Sequence, residues 1–233
     1  MEIISLKTKQ SLVFSIVILS QSFRAMSTPL TKWEQLDPNE AKEMFETGDL
    51  LIGQARENYS KKNLRVLRDA HPHAIACVAA SFKVNDDIPI KYQTGVFSQP
   101  GKTYDSLIRF SSSFGPTGDN AKDARGLAIK LFGVPGTKLL ADQPNAQTQD
   151  FIHIDHPIFP ARNAHQFEGI IKIGGDKSYI GKFLLENPIR NAMALKNLAD
   201  MINNPNNGTG LLEHKYFSMV PYLFKVSDQL STG

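Results

Sequence analysis

From Ala74 the chain alternates. Ala74, Ala76, Val78, Ala80, Phe82 and Val84 fall on one side of an extended backbone, and Ile75, Cys77, Ala79, Ser81 and Lys83 on the other. This pattern predicts a strand buried on both sides at its start and on one side toward its end. VNDDIP closes it with turn residues. Four further short runs follow, KYQTGVFS, YDSLIRFSSS, ARGLAIKLFGV and DFIHIDHPIF, each bounded by glycine, proline or asparagine. Several short strands in succession imply an antiparallel meander or barrel. PTGDNAKD and PGTKLLADQPNAQTQ read as loops.

After Pro160 the period lengthens, and ARNAHQFEGIIKI, KSYIGKFLLEN and NPIRNAMALKNLADMINN read as helices. In the last, Asn187 is placed to cap, Pro188 follows it, and Ile189, Met193, Leu198 and Ile202 lie near one face. Upstream, LDPNEAKEMFETG carries helix punctuation, with Asp37 as cap, Pro38 in the first turn and Gly48 at the end. ARENYSKKNLRVLRDA is polar and suits a second helix or an extended arm. HKYFSMVPYLFKV returns to an aromatic, strand-like texture. The expectation is an α+β fold, an incomplete antiparallel barrel with an N-terminal arm and inserted or C-terminal helices. A strand-like segment with no element after it suggests a truncated sheet.

The first residues differ in character. Lys7 and Lys9 precede SLVFSIVILS, and small residues follow at Ser20 and Ser22, the layout of a secretory signal peptide over residues 1–25. That places the protein in the periplasm or outside the cell. The rival is a cytoplasmic protein starting at Met26. Removing residues 1–25 takes away Lys7, Lys9, Arg24 and Glu2 and lowers the net charge from +3 to +1. A chain this balanced gives no reason to expect nucleic acid as partner, and no other segment suits stable membrane insertion. Cys77, the single cysteine, excludes an intrachain disulfide and reads as a small apolar side chain.

The histidines carry the chemistry. His71 and His73 are two apart and would share a face of an extended chain. His153, Asp155 and His156 could offer two imidazoles and a carboxylate to non-haem iron. A haem accounts for more of the sequence. It needs a wall of small side chains, met by Ala74, Ala76 and Val78, and cations for its propionates, met by Arg68 and Arg109. Peroxide chemistry needs one imidazole to carry a proton between two oxygens. RDAH supplies an arginine and a histidine three apart, and IRFSS places Arg109 and Ser111 two apart on a strand.

RDAHPHAIACVAASFKV, GVFSQPGKTYDSLIRFSSS, DNAKDARGLAIKLFGV and TQDFIHIDHPIF together resemble the catalase superfamily, closest to its small catalase-like haem proteins. The similarity runs from about Leu64 to about Tyr222. It implies a catalase-type β-barrel over residues 26–233 binding haem b, and an oxidoreductase that decomposes hydrogen peroxide or an organic or lipid hydroperoxide, in a possible homo-oligomer. His71 matches the distal histidine and Arg68 a propionate arginine. Arg109 matches a second propionate arginine and Ser111 the serine that orients the histidine. Phe167 matches a phenylalanine packed on the haem. Asp123, Arg125, Gly126, Ala128 and Lys130 match a block read as structural, with the glycine allowing close approach.

Two departures stand out. The family's distal asparagine precedes an N-T-P-like segment, which here reads Ile154-Asp155-His156-Pro157, so Asp155 stands nearby and is assigned a catalytic place, with His71 as one partner for its charge. The family's proximal tyrosine block has no match, and nothing around Tyr222 fits it, so no metal ligand is assigned. Two rivals remain: an inactive catalase-like fragment, and a barrel that binds a small apolar ligand without iron.

Overall fold

The computed structural model describes residues 37–60, 67–68, 70–113, 122–138, 143–204 and 210–220. The expected signal peptide, the tip of the PTGDNAKD loop and Tyr222 lie outside the described residues. Four helices run over Glu40–Ser60 (α1), Ala164–Gly175 (α2), Tyr179–Glu186 (α3) and Pro188–Ile202 (α4). Five strands run over His73–Lys83 (β1), Thr103–Ser112 (β2), Arg125–Phe132 (β3), Thr148–Ile154 (β4) and Phe217–Ser218 (β5). The strands pair antiparallel in the order β1-β2-β3-β4-β5. The mixed class and the meander are as expected. Of the expected incomplete barrel, the described strands form an open sheet.

Register decides which residues share a face, because directly opposed residues in an antiparallel pair point to the same side. Ala76 pairs with Phe110, Val78 with Ile108 and Phe82 with Tyr104, whereas Cys77 pairs with Arg109 and Ala74 with Ser111. Between Ala74 and Ala76 the register shifts, leaving Ile75 as an extra residue. The simple alternation from Ala74 to Val84 is therefore corrected. Ala74 lies on the Arg109 side, and Ala76 and Val78 lie on the other. Neither side is sealed at this end, since Val78 is 45% exposed and Cys77 is exposed rather than packed.

Deep packing sits toward the far end of β1. Val84, Val96, Tyr104, Leu131 and Val134 form a buried cluster, joined by Phe82, Phe97 and Phe151. KYQTGVFS contributes here, but not as a strand. It forms two single turns, Ile90–Tyr92 and Gly95–Phe97, tied down by Gln93 Nε2 donating to the Ile88 carbonyl (3.0 Å) and Tyr104 Oη donating to the Val96 carbonyl (3.1 Å). Local hydrogen bonds of this kind satisfy the backbone without a sheet partner.

Helix α1 also differs from expectation. It runs through Gly48 and Gly53 to Ser60 instead of ending at Gly48. Two glycines cost a helix about 1 kcal/mol each. Burial of Thr47, Ala55 and Tyr59 and a bond from Gln54 Nε2 to the Ile171 carbonyl (3.0 Å) on α2 offset that cost. The three later helices lie where the sequence puts them. Asn163 and Asn187 cap α2 and α4 by accepting from the backbone N–H groups of Gln166 and Arg190. At Gly169 an added Cβ would come within 2.5 Å of the Phe183 ring, so only glycine lets α2 and α3 approach this closely. The expected inward face of α4 is wrong in part: Ile189 and Met193 are exposed. Asn191, Ala194 and Met201 are buried instead. Asn191 turns inward because Gln166 Nε2 donates to its Oδ1 (2.9 Å) and its own Nδ2 reaches the Phe183 carbonyl. No helix among the described residues is long and apolar enough to cross a membrane.

Candidate active site around His71

His71 immediately precedes β1 with φ +53°. Histidine tolerates this left-handed conformation better than most side chains, at a cost of about 1–2 kcal/mol. The turn carries the ring over β2 and β3. Ser111 Oγ lies 3.1 Å from Nδ1 and Ser113 Oγ 3.1 Å from Nε2. The ring rests on bare backbone: a Cβ on Gly126 would meet its Cε1 at 2.6 Å and its Nδ1 at 2.7 Å. Gly126 pairs with Ser111 across β2 and β3, so the floor and the hydroxyl come from one register position. The close approach read into Gly126 is thus made by the imidazole itself. The left-handed turn also undoes the expected shared face of His71 and His73, because His73 pairs with Ser112, whose side is opposite to that of Ser111.

Two cations converge on this ring. Arg109 Nη2 donates to the His71 carbonyl (2.7 Å), and Arg68 Nε donates to the Ala70 carbonyl (2.8 Å). Burial first, then Arg109 and Arg68, push the His71 pKa down to about 4, so the imidazole is neutral at pH 7. Arg109 is itself held below its usual value, by partial burial first and then by Arg68, with Cys77 acting in the opposite direction.

Asp155 is placed elsewhere. It is buried beyond the end of β4, where Oδ1 accepts from the Arg125 N–H (2.9 Å) and Oδ2 meets His214 Nδ1 (3.1 Å). Its carbonyl accepts from Asn204 Nδ2, and its own N–H donates to the Arg125 carbonyl (3.0 Å). Burial raises the Asp155 pKa, opposed by the Arg125 N–H and by His214. The pairing with His71 is therefore corrected: His214 supplies it. Arg125 Nη1 donates to Ser112 Oγ, so that guanidinium serves the side of the sheet away from His71. Ile154, the residue before Asp155, pairs with Gly126 and so shares the His71 side.

The remaining candidates do not gather at His71. Phe167 packs on Phe159, with ring centroids 5.7 Å apart. His153 Nδ1 faces the Leu127 carbonyl at 3.4 Å and His156 Nδ1 the Ile158 carbonyl at 2.8 Å. Among the described residues no group of three histidine, cysteine or acidic side chains could hold a metal ion. A shallow groove lined by His153, Pro157, Tyr216 and residues 217–220 lies apart from His71. Tyr216 donates to the Leu211 carbonyl (3.1 Å), and its pKa is pushed up to about 12 by burial first and then by Asp155.

Sequence reasoning missed Ser113 and His214. The run Ser111-Ser112-Ser113 held a signal for the first, because alternate residues of a strand share a side. His214 lay in a segment whose partners come from remote parts of the chain.

A haem fits this region in part. A neutral imidazole, a serine on its Nδ1 and two nearby cations are groups a haem site uses, whereas the space over Gly126 is already filled by the imidazole. Ala76 and Val78 do not belong to it, and Ala74 does by register.

A search among curated proteins finds no match. Among solved structures the chain is similar to a fungal catalase (24% identity, TM-score 0.37, covering 63% of this chain and 26% of that one). It is similar also to catalase A from Saccharomyces cerevisiae (24% identity, TM-score 0.37, covering 62% of this chain and 26% of that one). The chain thus spans about a quarter of the length of those catalases. The family profile described as Catalase matches residues 34–178, more than half of the chain, and its span takes in His71, Arg109, Ser111 and Gly126: the chain belongs to the catalase family.

Proposed function

We propose that this chain supplies the peroxide-facing half of a catalase-type haem site and that its reaction is the decomposition of hydrogen peroxide or an organic hydroperoxide. The observation that carries this reading is the His71 ring, neutral, seated on Gly126 and held at Nδ1 by Ser111. Arg68 and Arg109 would hold the propionates, and Ala74 would lie on the same side. When bound, the haem would supply the ferric centre at which the O–O bond is cleaved.

The chain's own part is proton transfer. Ser111 Oγ accepts the Nδ1 proton and leaves the Nε2 lone pair free to work as a base. His71 Nε2 takes a proton from one peroxide oxygen and returns it to the other, so water can leave. A pKa near 4 keeps the ring unprotonated and ready at neutral pH, and the protonated ring gives its proton up readily. Assembly as a homo-oligomer and export guided by residues 1–25 belong to the same proposal, and mass spectrometry of the native N-terminus tests the latter.

The experiment is a hemin titration followed by absorption. A Soret band that shifts in His71→Ala and weakens in Arg109→Ala supports the reading. Protein that stays colourless with hemin overturns it. A second reading, a catalase-like module without turnover, is favoured by the exposure of Val78 (45%), Leu107 (41%) and Ile152 (49%) on the sheet. Normal haem uptake with no peroxide loss would select it.

A further inference from the structure

The two edge strands of the sheet are unequal: β5 has two residues and β1 eleven. Val84, next after β1, fixes which way the long edge faces. Its N–H donates to the Lys102 carbonyl (2.8 Å) and its carbonyl accepts from the Gly101 N–H (3.0 Å), both on the β2 side. Backbone groups alternate in direction along a strand, and the register with β2 runs unbroken from Ala76 to Lys83. The N–H and C=O groups of Cys77, Ala79, Ser81 and Lys83 therefore point away from β2. Ser113 gives the same phase from β2, since its N–H reaches the Ala124 carbonyl on the β3 side (3.1 Å). Cys77, Ala79, Ser81 and Lys83 are all exposed, and among the described residues no backbone group meets them at this edge. Such an edge is a template for another strand. Little blunts it: β1 has no proline, and its one charged side chain, Lys83, stands at the end. The bulge at Ile75 interrupts the opposite end only.

We infer that β1 pairs antiparallel with β1 of a second copy of this chain, over residues 77–83 and about a two-fold axis at Ala80. This surface gives the homo-oligomer proposed above its interface and rests on that proposal. The free groups set the axis, because 77, 79, 81 and 83 are symmetric about 80. Cys77 then meets the partner's Lys83 and Ala79 the partner's Ser81. Each such pair exchanges two backbone bonds, about eight in all. An edge that complements itself in this way closes on a second copy and leaves no further strand to add there. Charge agrees, since Lys83 faces a thiol and not the partner's Lys83. Side chains agree too. On the side away from His71, Val78, 45% exposed, lies opposite the partner's Phe82, and the small Ala80 stands at the axis. Moving the axis to Ala79 would set Lys83 against Ile75, inside the bulge.

The test uses the full chain without hemin, so it is independent of the haem titration. Sedimentation velocity over a range of concentrations is expected to show a monomer–dimer equilibrium. Ala80→Cys, made together with Cys77→Ser, should give an interchain disulfide on mild oxidation, because directly opposed residues of a non-hydrogen-bonded pair are about 4.5 Å apart at Cα. The native Cys77 should not crosslink, since it lies six residues, about 20 Å, from the partner's Cys77. Ala79→Pro removes an N–H that β2 does not use, so the chain should stay folded while the dimer weakens by about tenfold or more. A wild type that stays monomeric at its highest soluble concentration overturns both this interface and the homo-oligomer. A dimer that forms no disulfide through Ala80→Cys, or that is unchanged by Ala79→Pro, overturns the interface and leaves the homo-oligomer standing on another surface.

Discussion

His71 and His214 are held by the same sheet in opposite ways. His71 sits before β1 with the Ser111 hydroxyl at Nδ1, the Ser113 hydroxyl beside the ring and two cations close by. His214 is buried with a carboxylate, Asp155, on Nδ1 and no partner for Nε2 among the described residues. It lies beside Tyr216, whose ring neighbours Phe110 on the side of the sheet away from His71. Hydroxyls can donate or accept, so they allow a proton to come and go at modest cost. A buried carboxylate paired with an imidazole resists change, because removing either partner strands the other. The first arrangement suits chemistry. The second suits fastening the segment before β5 to the end of β4.

The sharpest way to break this contrast is His71→Ala. Peroxide decomposition by the haem-loaded protein should fall by about 10²–10⁴-fold, the range for a lost general base. Urea unfolding of the same variant should shift by only about 1 kcal/mol, because serine hydroxyls left behind can find water. A variant that keeps its turnover would remove His71 from the chemistry.

Asp155→Ala should do the reverse. It strips partners from His214 and from the Arg125 N–H, at a cost of about 3–5 kcal/mol in urea unfolding. Asp155→Asn, which can still accept, should cost clearly less. Equal losses in the two would mean that the charge, not the acceptor shape, holds His214, and no loss in either would show the carboxylate idle.

Acid should cost the His71 site about 3 kcal/mol. The His71 pKa is near 4 in the folded protein against 6.5 for the free side chain, so the unfolded chain binds the extra proton. Stability linked to His71 is complete above pH 6.5 and is lost as pH falls toward 4, with Arg109 and Arg68 as the charges that face the ring. Subtracting the pH profile of His71→Ala from that of the wild type isolates this slope. A flat difference would mean the ring is less buried than its geometry indicates.

The smallest effect is expected from Gly126→Ala, at about 1–3 kcal/mol for overpacking. The new methyl group would push the His71 ring from its floor and Ser111 Oγ from its place at 2.8 Å. Nitrogen-15 resonances of the His71 ring should shift, and the melting temperature should fall by about 2–4 °C for each kcal/mol lost.

Much of this was legible in the sequence because it depends on local pattern. β2, β3 and β4 and the three later helices are carried by alternation, helical period and asparagine caps. The cluster of His71, Arg109 and Ser111 was legible because each belongs to a short block and the sheet simply stacks the blocks. What stayed hidden depends on tertiary contact. Helix α1 passes two glycines because α2 is there to receive it. Asp155 reads as a partner for His71 until His214, 59 residues away, closes on it. Met193 looks like a core residue and Asn191 does not, yet a buried amide pair reverses them.

The extra residue at Ile75 sets a rule for how this chain tolerates changes in length. It separates two phases of one strand, so the frame in which the imidazole points toward its serines is independent of the frame that sends Phe82 inward. Deleting Ile75 would leave Ala74 opposite Ser111 and Ala76 opposite Phe110, so the imidazole and the aromatic cluster would both keep their sides and only the kink would go. A residue lost elsewhere in β1 turns neighbours over to the other surface. The strand thus carries one spare residue, and its place is fixed.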